Sequence, residues 1–460
     1  MNRRHGTAAL FAALLLLTAC DPAHTVTPAP APSEHTLDGS PTVTASPVSD
    51  ADWPTYHHDN GRTGVAPGFP TVGTLRQAWT ARLDGAVYGQ PIVVGDTVYA
   101  ATEHDTVYAL APDTGTVRWS VHLGEPMPRK ELPCGNIDPL GITSTMAYDP
   151  ATGLVFALAE STGAHHTLYG LDAGTGAVKV TRAAEPPKGD PVAHQQRSAL
   201  TVLGNRVYIA YGGLAGDCSN YIGSVVGIPT TGPGAAVSYA VPTPREGGIW
   251  APGGANVHNG QLLYVVGNGE SSDSYDGSDS VIALDPDLAL KDRFAPSVWA
   301  DDNDRDLDLG SMTAAVVNGY VLIAGKRGVG YTLRADHLGG IGGQVDQGQV
   351  CRAFGGASVD GSTAYVPCQD GVRAVQVDDS GKIHVLWQAK TDAAGSPVVG
   401  GGAVWVVDYD AGDLYALDPA TGAVRQRIAI GTAPHFASPT LAKGRVYVGM
   451  LTGVTAIAPN

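Results

Sequence analysis

The chain is poor in charge. Only 16% of its 460 residues are Asp, Glu, Lys or Arg, too few for a coiled coil or a mostly disordered polymer. Positive charge is scarcer still: 28 Lys and Arg stand against 44 Asp and Glu, a formal net charge of −16. No basic field exists to neutralise phosphates, which argues against nucleic acid as a partner. Beyond the amino-terminal stretch no run of about eighteen apolar residues occurs, so nothing later in the sequence reads as a membrane-spanning helix. Cysteine is limited to five residues. None are adjacent, and they do not form the two close pairs that a zinc site wants. Neither a G-x-S-x-G elbow nor a Walker loop appears. The acidic run from Asp301 to Asp308 misses the EF-hand pattern, because Gly310 comes one place late and the closing Glu is absent.

Glycine and proline are abundant instead. The 60 Gly and 32 Pro are spread along the whole chain, which suits many short strands joined by turns, an architecture that can run long as one domain. Arg3 and Arg4 followed by the apolar stretch Thr7 to Ala19 read as an export signal. Leu17-Thr18-Ala19-Cys20 resembles a bacterial lipobox, whose cysteine is lipidated. The expectation is therefore a signal peptide over 1–19, an acylated Cys20 opening a disordered Pro/Thr/Ser-rich tether to residue 51, and a folded body over 52–460. Such a chain sits on the extracytoplasmic side of the cell membrane, held to the lipid bilayer by its acyl anchor. A plain signal peptide with a chance cysteine is the alternative. The other four cysteines suggest two disulfides in an oxidising compartment. Cys351 and Cys368 flank a predicted hairpin and are paired, which leaves Cys134 with Cys218; four buried thiols are the competing reading.

A unit recurs along the body. In its clearest copy, Gln90 to Tyr99 gives an apolar strand, a Gly-Asp turn and a Val-Tyr strand; Val107-Tyr108-Ala109-Leu110 and Asp113-Thr114-Gly115-Thr116-Val117-Arg118-Trp119 follow. Further copies include Leu168 to Val178 and Ser396 to Val424, with weaker ones centred on Tyr208, Tyr264, Leu322, Tyr365 and Tyr447. Each reads as four short antiparallel strands, and the spacing is that of a propeller blade. The prediction is an all-β, eight-bladed propeller, or seven-bladed if one weak copy is an insertion. The last copy lacks a fourth strand, and Gln77 to Leu83 is a spare strand that could complete it and close the ring.

Trp53-Pro54, the strand from Leu75 to Leu83 and the run from Ala109 to Trp119 resemble the pyrroloquinoline-quinone-type repeat of quinoprotein dehydrogenases and of outer-membrane assembly lipoproteins. In that family a tryptophan ending each repeat docks on the next blade. Here only the Trp119 copy is complete, with Val180 and Gln426 at the equivalent places. A sharper resemblance is to the alcohol-oxidising quinoproteins. Gly247-Gly248-Ile249-Trp250 is similar to their segment bearing the tryptophan that stacks on pyrroloquinoline quinone, and Asn268 to their active-site asparagine, a calcium ligand. Asp304 to Asp308 falls where they carry the base, which the resemblance assigns to Asp308 with Asp306 as substitute. Lys326 resembles their cation beside the quinone carbonyl, and Asp217 falls where their glutamate ligand to calcium should be. The residue types suit the chemistry: a carboxylate takes the hydroxyl proton, and a cation stabilises the reduced quinone oxygen. Two features depart from the pattern: this chain has no Cys-Cys ring, and Asp217-Cys218 stands in for the glutamate.

Each residue also has a structural alternative. Trp250 could be blade packing, Asn268 a turn residue, the run from Asp301 to Asp308 a solvated loop and Lys326 a surface cation. The pairs His57-His58 and His165-His166 read as loop residues. Three functions stay open at this point. The first is a membrane-anchored binding module for a protein or other cell-envelope ligand, its funnel lined by loops such as Glu125–Leu140 and Glu270–Ser280. The second is a pyrroloquinoline-quinone- and calcium-dependent alcohol or polyol dehydrogenase, and the third is a scaffold in an envelope assembly complex.

Overall fold

In a computed structural model, residues 48–389 and 391–459 are described. Residues 1–47, with the leader, Cys20 and most of the expected tether, lie outside them. The body is an eight-bladed β-propeller. Blades 1 to 7 occupy residues 92–122, 147–183, 201–240, 256–295, 315–349, 358–388 and 398–429, each a four-stranded antiparallel sheet in chain order, some extended by a short extra strand. Blade 8 joins three strands from 440–458 to the strand Arg76–Arg82, which pairs antiparallel with Gly453–Ala458. The spare amino-terminal strand does close the ring, as the outermost strand of blade 8.

Burial within a blade falls from the axis outward. In blade 1, Ile92–Val94 is fully buried, whereas the outermost strand, Val117–His122, alternates between exposed and half-buried. The β-branched residues of the inner strands fill wedges between neighbouring sheets. Ile92, Val107 and Ala109 of blade 1 pack with Tyr148, Val155 and Ala157 of blade 2, and Tyr208 and Val225 of blade 3 pack with Tyr264 and Ile282 of blade 4. A lone blade could not bury both faces; the ring does so for each.

Tryptophan docking is more extensive than the sequence pattern suggested. Trp79, Trp119 and Trp387, on the outer strands of blades 8, 1 and 6, each lie against the glycine of the next blade's turn. A Cβ on Gly115, Gly176 or Gly422 would come within 2.5, 2.7 and 2.5 Å of those rings. Each indole N–H donates to a carbonyl of the same turn: Pro112 at 2.8 Å, Ala173 at 3.3 Å and Pro419 at 2.9 Å. Both expected disulfides are present, Cys134–Cys218 with Cα atoms 6.1 Å apart and Cys351–Cys368 at 5.7 Å.

Residues Asp52 to Gly64 form a plug across the axis. Arg62 is buried there, donating to the carbonyls of Ala255 and Leu200 and to the Thr201 hydroxyl of blades 4 and 3. The His57 ring meets the Ala357 carbonyl and the Ser438 hydroxyl at blades 6 and 8. His57 and His58 are the loop residues expected, yet His57 is fully buried, and that burial drives its pKa down to about 3. The expectation is corrected at His165 and His166, which lie in a strand. His166 is likewise buried, in the strand His165–Asp172, between Glu160 and Glu185.

Candidate functional site

Where the chain enters a blade, it approaches the axis just ahead of the first strand. Tyr88, Arg197, Phe354 and Phe436 each stand four residues ahead of such a strand, those beginning at Ile92, Thr201, Ser358 and Thr440. All four line one axial pocket of about 390 Å³, together with Trp250, which precedes the first strand of blade 4. The plug contacts the same segments a few residues further along, so it closes the axis beneath this pocket.

Five of the residues singled out from sequence reach this pocket: Trp250, Asn268, Asp217, Asp306 and Lys326. Trp250 packs against Phe436, ring centres 6.0 Å apart, and the Lys326 ammonium lies 5.6 Å from the Trp250 ring centre. Lys326 is therefore a pocket residue with its side chain only 13% exposed, and not a surface cation. Its Nζ is 2.5 Å from Asp306 and 2.9 Å from Asp308. Burial alone would lower its pKa, but the Asp308 and Asp306 carboxylates outweigh that and hold it above the ordinary lysine value.

The two aspartates occupy different places. Asp306 lines the pocket, with 61% of its side chain exposed. Asp308 is fully buried behind Lys326 and off the pocket wall. Burial raises its pKa, and Lys326 opposes the shift. The reason is local. Trp299–Arg305 forms the one α-helix among the described residues and ends on Asp306, whose left-handed backbone (φ 52°) turns the chain inward. Gly267, Gly310 and Gly325 then let backbone close around Asp308; a Cβ on Gly310 would sit 2.7 Å from its Oδ1, and one on Gly325 would sit 2.3 Å from its carbonyl oxygen. The run from Asp301 to Asp308 is thus not a solvated loop. Asp302 is also buried, and its carboxylate is engaged by Arg327.

Asn268 and Asp217 sit on another stretch of the wall. The Asn268 amide is 3.5 Å from Glu246 Oε2, and the Tyr221 hydroxyl donates to Asp217 at 2.6 Å. Glu246, which sequence reasoning passed over, is buried; that burial raises its pKa and Arg245 opposes the rise. These are hard oxygen donors, yet among the described residues no group of three or more His, Cys, Asp or Glu comes together as a metal site. Of the two predicted funnel loops, the first contributes Asn136 and Ile137, and the Cys134–Cys218 disulfide ties it to the wall segment carrying Leu214 and Asp217. No residue of Glu270–Ser280 lines the pocket.

Fold and pocket together define a quinoprotein-like β-propeller. A family model described as outer membrane protein assembly factor BamB matches residues 52–286 and 369–458, and the chain belongs to that family of pyrroloquinoline-quinone-type repeat proteins. It is 26% identical over 279 residues to the polyvinylalcohol dehydrogenase of Sphingopyxis sp. (strain 113P3), covering 53% of this chain and 39% of that protein. The matched part spans less than half the length of the curated relatives. Among solved structures, quinohemoprotein alcohol dehydrogenase from Comamonas testosteroni superposes with a TM-score of 0.68 at 17% identity, over 88% of this chain and 80% of that one. BamB from Moraxella catarrhalis does so with 0.58 at 16% identity, over 84% and 99%. At these identities the structural likeness speaks for the fold alone.

Proposed function

We propose that the propeller is a quinoprotein-type oxidoreductase whose axial pocket takes a planar quinone of the pyrroloquinoline quinone class and oxidises an alcohol. One observation carries the reading: Trp250, Asn268, Asp306 and Lys326, distant in sequence, meet in one pocket, with Asp308 ion-paired behind Lys326. The residues suit such a ring. Trp250 offers an aromatic face, Lys326 a cation beside it, and the volume falls in the range of about 300–1,000 Å³ usual for small-molecule sites. A bound quinone would supply the two-electron acceptor. Lys326 would then hold positive charge where a reduced oxygen develops. Asp306, on the wall, is better placed than Asp308 to receive a hydroxyl proton, and Asp308 serves to fix the charge and position of Lys326. Calcium is a poorer match, because the Asp217 carboxylate is already bound by Tyr221 and the wall offers no close ligand cluster, so no metal-dependent step is derived.

The test is a titration of the purified full chain with pyrroloquinoline quinone, with and without calcium, followed by dye reduction with primary alcohols. Stoichiometric binding lost in Trp250→Ala and Lys326→Ala, and turnover lost with binding kept in Asp306→Asn, is the expected result. A second reading, a propeller that binds an envelope protein or serves as an assembly scaffold, is favoured by the family match. It takes over if no quinone binds. In either reading, anchoring at Cys20 on the extracytoplasmic face of the membrane rests on the leader sequence alone.

A further inference from the structure

The pocket holds a cation that neither the fold nor the quinone reading uses. Arg197 is 8% exposed. Its guanidinium lies 5.2 Å from the Tyr88 ring centre and 5.4 Å from that of Phe436, and Nη2 donates to the His435 carbonyl at 2.6 Å. No carboxylate is within ion-pairing distance among the described residues. The acid whose charge it feels most is Glu103, which burial pushes up to about 7 and which accepts hydrogen bonds from the Gly141 amide and the Thr143 hydroxyl. Burying a charge without a partner costs several kcal/mol, so such a group normally faces one. Here the open side faces the cavity, where Arg352, exposed and without an ion-pair partner among the described residues, joins the same lining. Phe436 is held at φ 64°, a conformation costly for a bulky side chain, and its ring is the one Arg197 stacks on. Lys326 and Trp250 engage one another at 5.6 Å, so the two sets of cation–aromatic contacts share only the Phe436 side of the pocket.

We propose that Arg197, supported by Arg352, is a carboxylate subsite, and that the alcohol taken by the pocket is a hydroxy acid. A planar carboxylate matches the guanidinium fork, and the aromatic rings on either side exclude water from the pair. The substrate assignment rests on the quinone reading; the carboxylate subsite does not.

Equilibrium titration of the purified full chain, without quinone, with mandelate and with its neutral methyl ester tests the subsite directly. Mandelate should bind at least tenfold tighter than the ester. Arg197→Gln should remove that preference, weakening the acid about ten- to a hundredfold while leaving the ester unchanged. Arg197→Lys should restore part of it, and Arg352→Gln, an exposed change that leaves the core intact, should reduce it. Equal binding of acid and ester, or an acid preference that survives Arg197→Gln, overturns the proposal. Quinone titration separates the two possible sources of the carboxylate. If Arg197→Gln weakens the quinone itself tenfold, the carboxylate belongs to the cofactor and the substrate assignment fails. If no quinone binds while the acid preference holds, the oxidoreductase reading falls and the subsite stands.

Discussion

The Lys326–Asp308 pair gives the most exacting test of how this pocket is built. Asp308 is fully buried, and Lys326, 2.9 Å away, is its counter-ion. Removing one member of a buried pair strands the other, at about 3–5 kcal/mol. The two single substitutions are not equivalent. Lys326→Met leaves Asp308 with no cation and should incur the full penalty at neutral pH. Asp308→Asn leaves Lys326 still 2.5 Å from Asp306 and open to the pocket, and should cost only about 1–2 kcal/mol. The double substitution should be less destabilising than the sum by at least about 1 kcal/mol. The pH dependence supplies a sign. Asp308 already titrates above the ordinary carboxylate value, and without Lys326 it rises further. The native state then keeps a proton that the unfolded chain releases above about pH 4, so stability is present at low pH and lost as pH rises. The deficit of Lys326→Met should accordingly be smaller at pH 5 than at pH 8. Urea denaturation followed by tryptophan fluorescence at both pH values measures it. Strict additivity, or a deficit of equal size at the two pH values, would refute the pairing argument.

Two further outcomes follow from the packing. Gly422→Ala should destabilise by about 2 kcal/mol or more, since φ is 69° and the new Cβ meets Trp387 at 2.5 Å, whereas Gly95→Ala, at φ 55° with open space around it, should lose only about 1 kcal/mol. Comparable losses in thermal unfolding would show that the tryptophan contact carries no load. Glu103 is buried and pushed up to about 7, so its contribution runs the same way: native stability should fall by about 3 kcal/mol as pH rises from about 4.5 through 7. Glu103→Gln should shallow that slope without abolishing it, because Asp105, pushed up to about 9 by burial and by Glu103, keeps titrating the same way. An unchanged urea-midpoint profile would contradict it.

What the sequence disclosed was whatever repeats. Val-Tyr strands, Leu-Asp ends and Thr-Gly turns recur because each blade solves the same packing problem, and the ring closure at Arg76–Arg82 follows from counting strands. Trp387 escaped notice because its blade lacks the Thr-Gly turn that marks the repeat, and Trp79 because it precedes the first copy. The plug was invisible for another reason: it is polar and aperiodic, and its residues are buried by hydrogen bonds to several blades. Site residues were readable where resemblance supplied a motif, as at Trp250, Asn268 and Lys326. Tyr88, Arg197, Phe354 and Phe436 share a position, four residues ahead of a strand, and not a residue type, so only alignment of strand starts would have found them. The acidic run misled because composition reports charge, whereas burial of Asp302 and Asp308 depends on a helix end and three close glycines.

Proteins described as dehydrogenases and as assembly factors share this fold, and the fold alone cannot favour either. Energetics can. A scaffold that engages partners through blade edges or rim loops gains nothing from polar groups sealed on its axis. Buried ion pairs are often replaceable by apolar side chains with no loss or a gain of about 1–4 kcal/mol, and an unpaired buried guanidinium is worse. This chain has only 28 cations. It places Arg197, Lys326 and Arg352 around one cavity, and holds Phe436 in a strained conformation at the same place. Three of these features are costly, the buried Arg197, the buried Lys326–Asp308 pair and the strained Phe436, and their gathering at one cavity argues for a ligand there rather than for a purely structural axis. A variant with Lys326→Met, Asp308→Leu and Arg197→Met combined should therefore approach or exceed the parent in stability while losing every ligand of the pocket, and a large loss of stability would instead place these groups among the structural contacts of the ring.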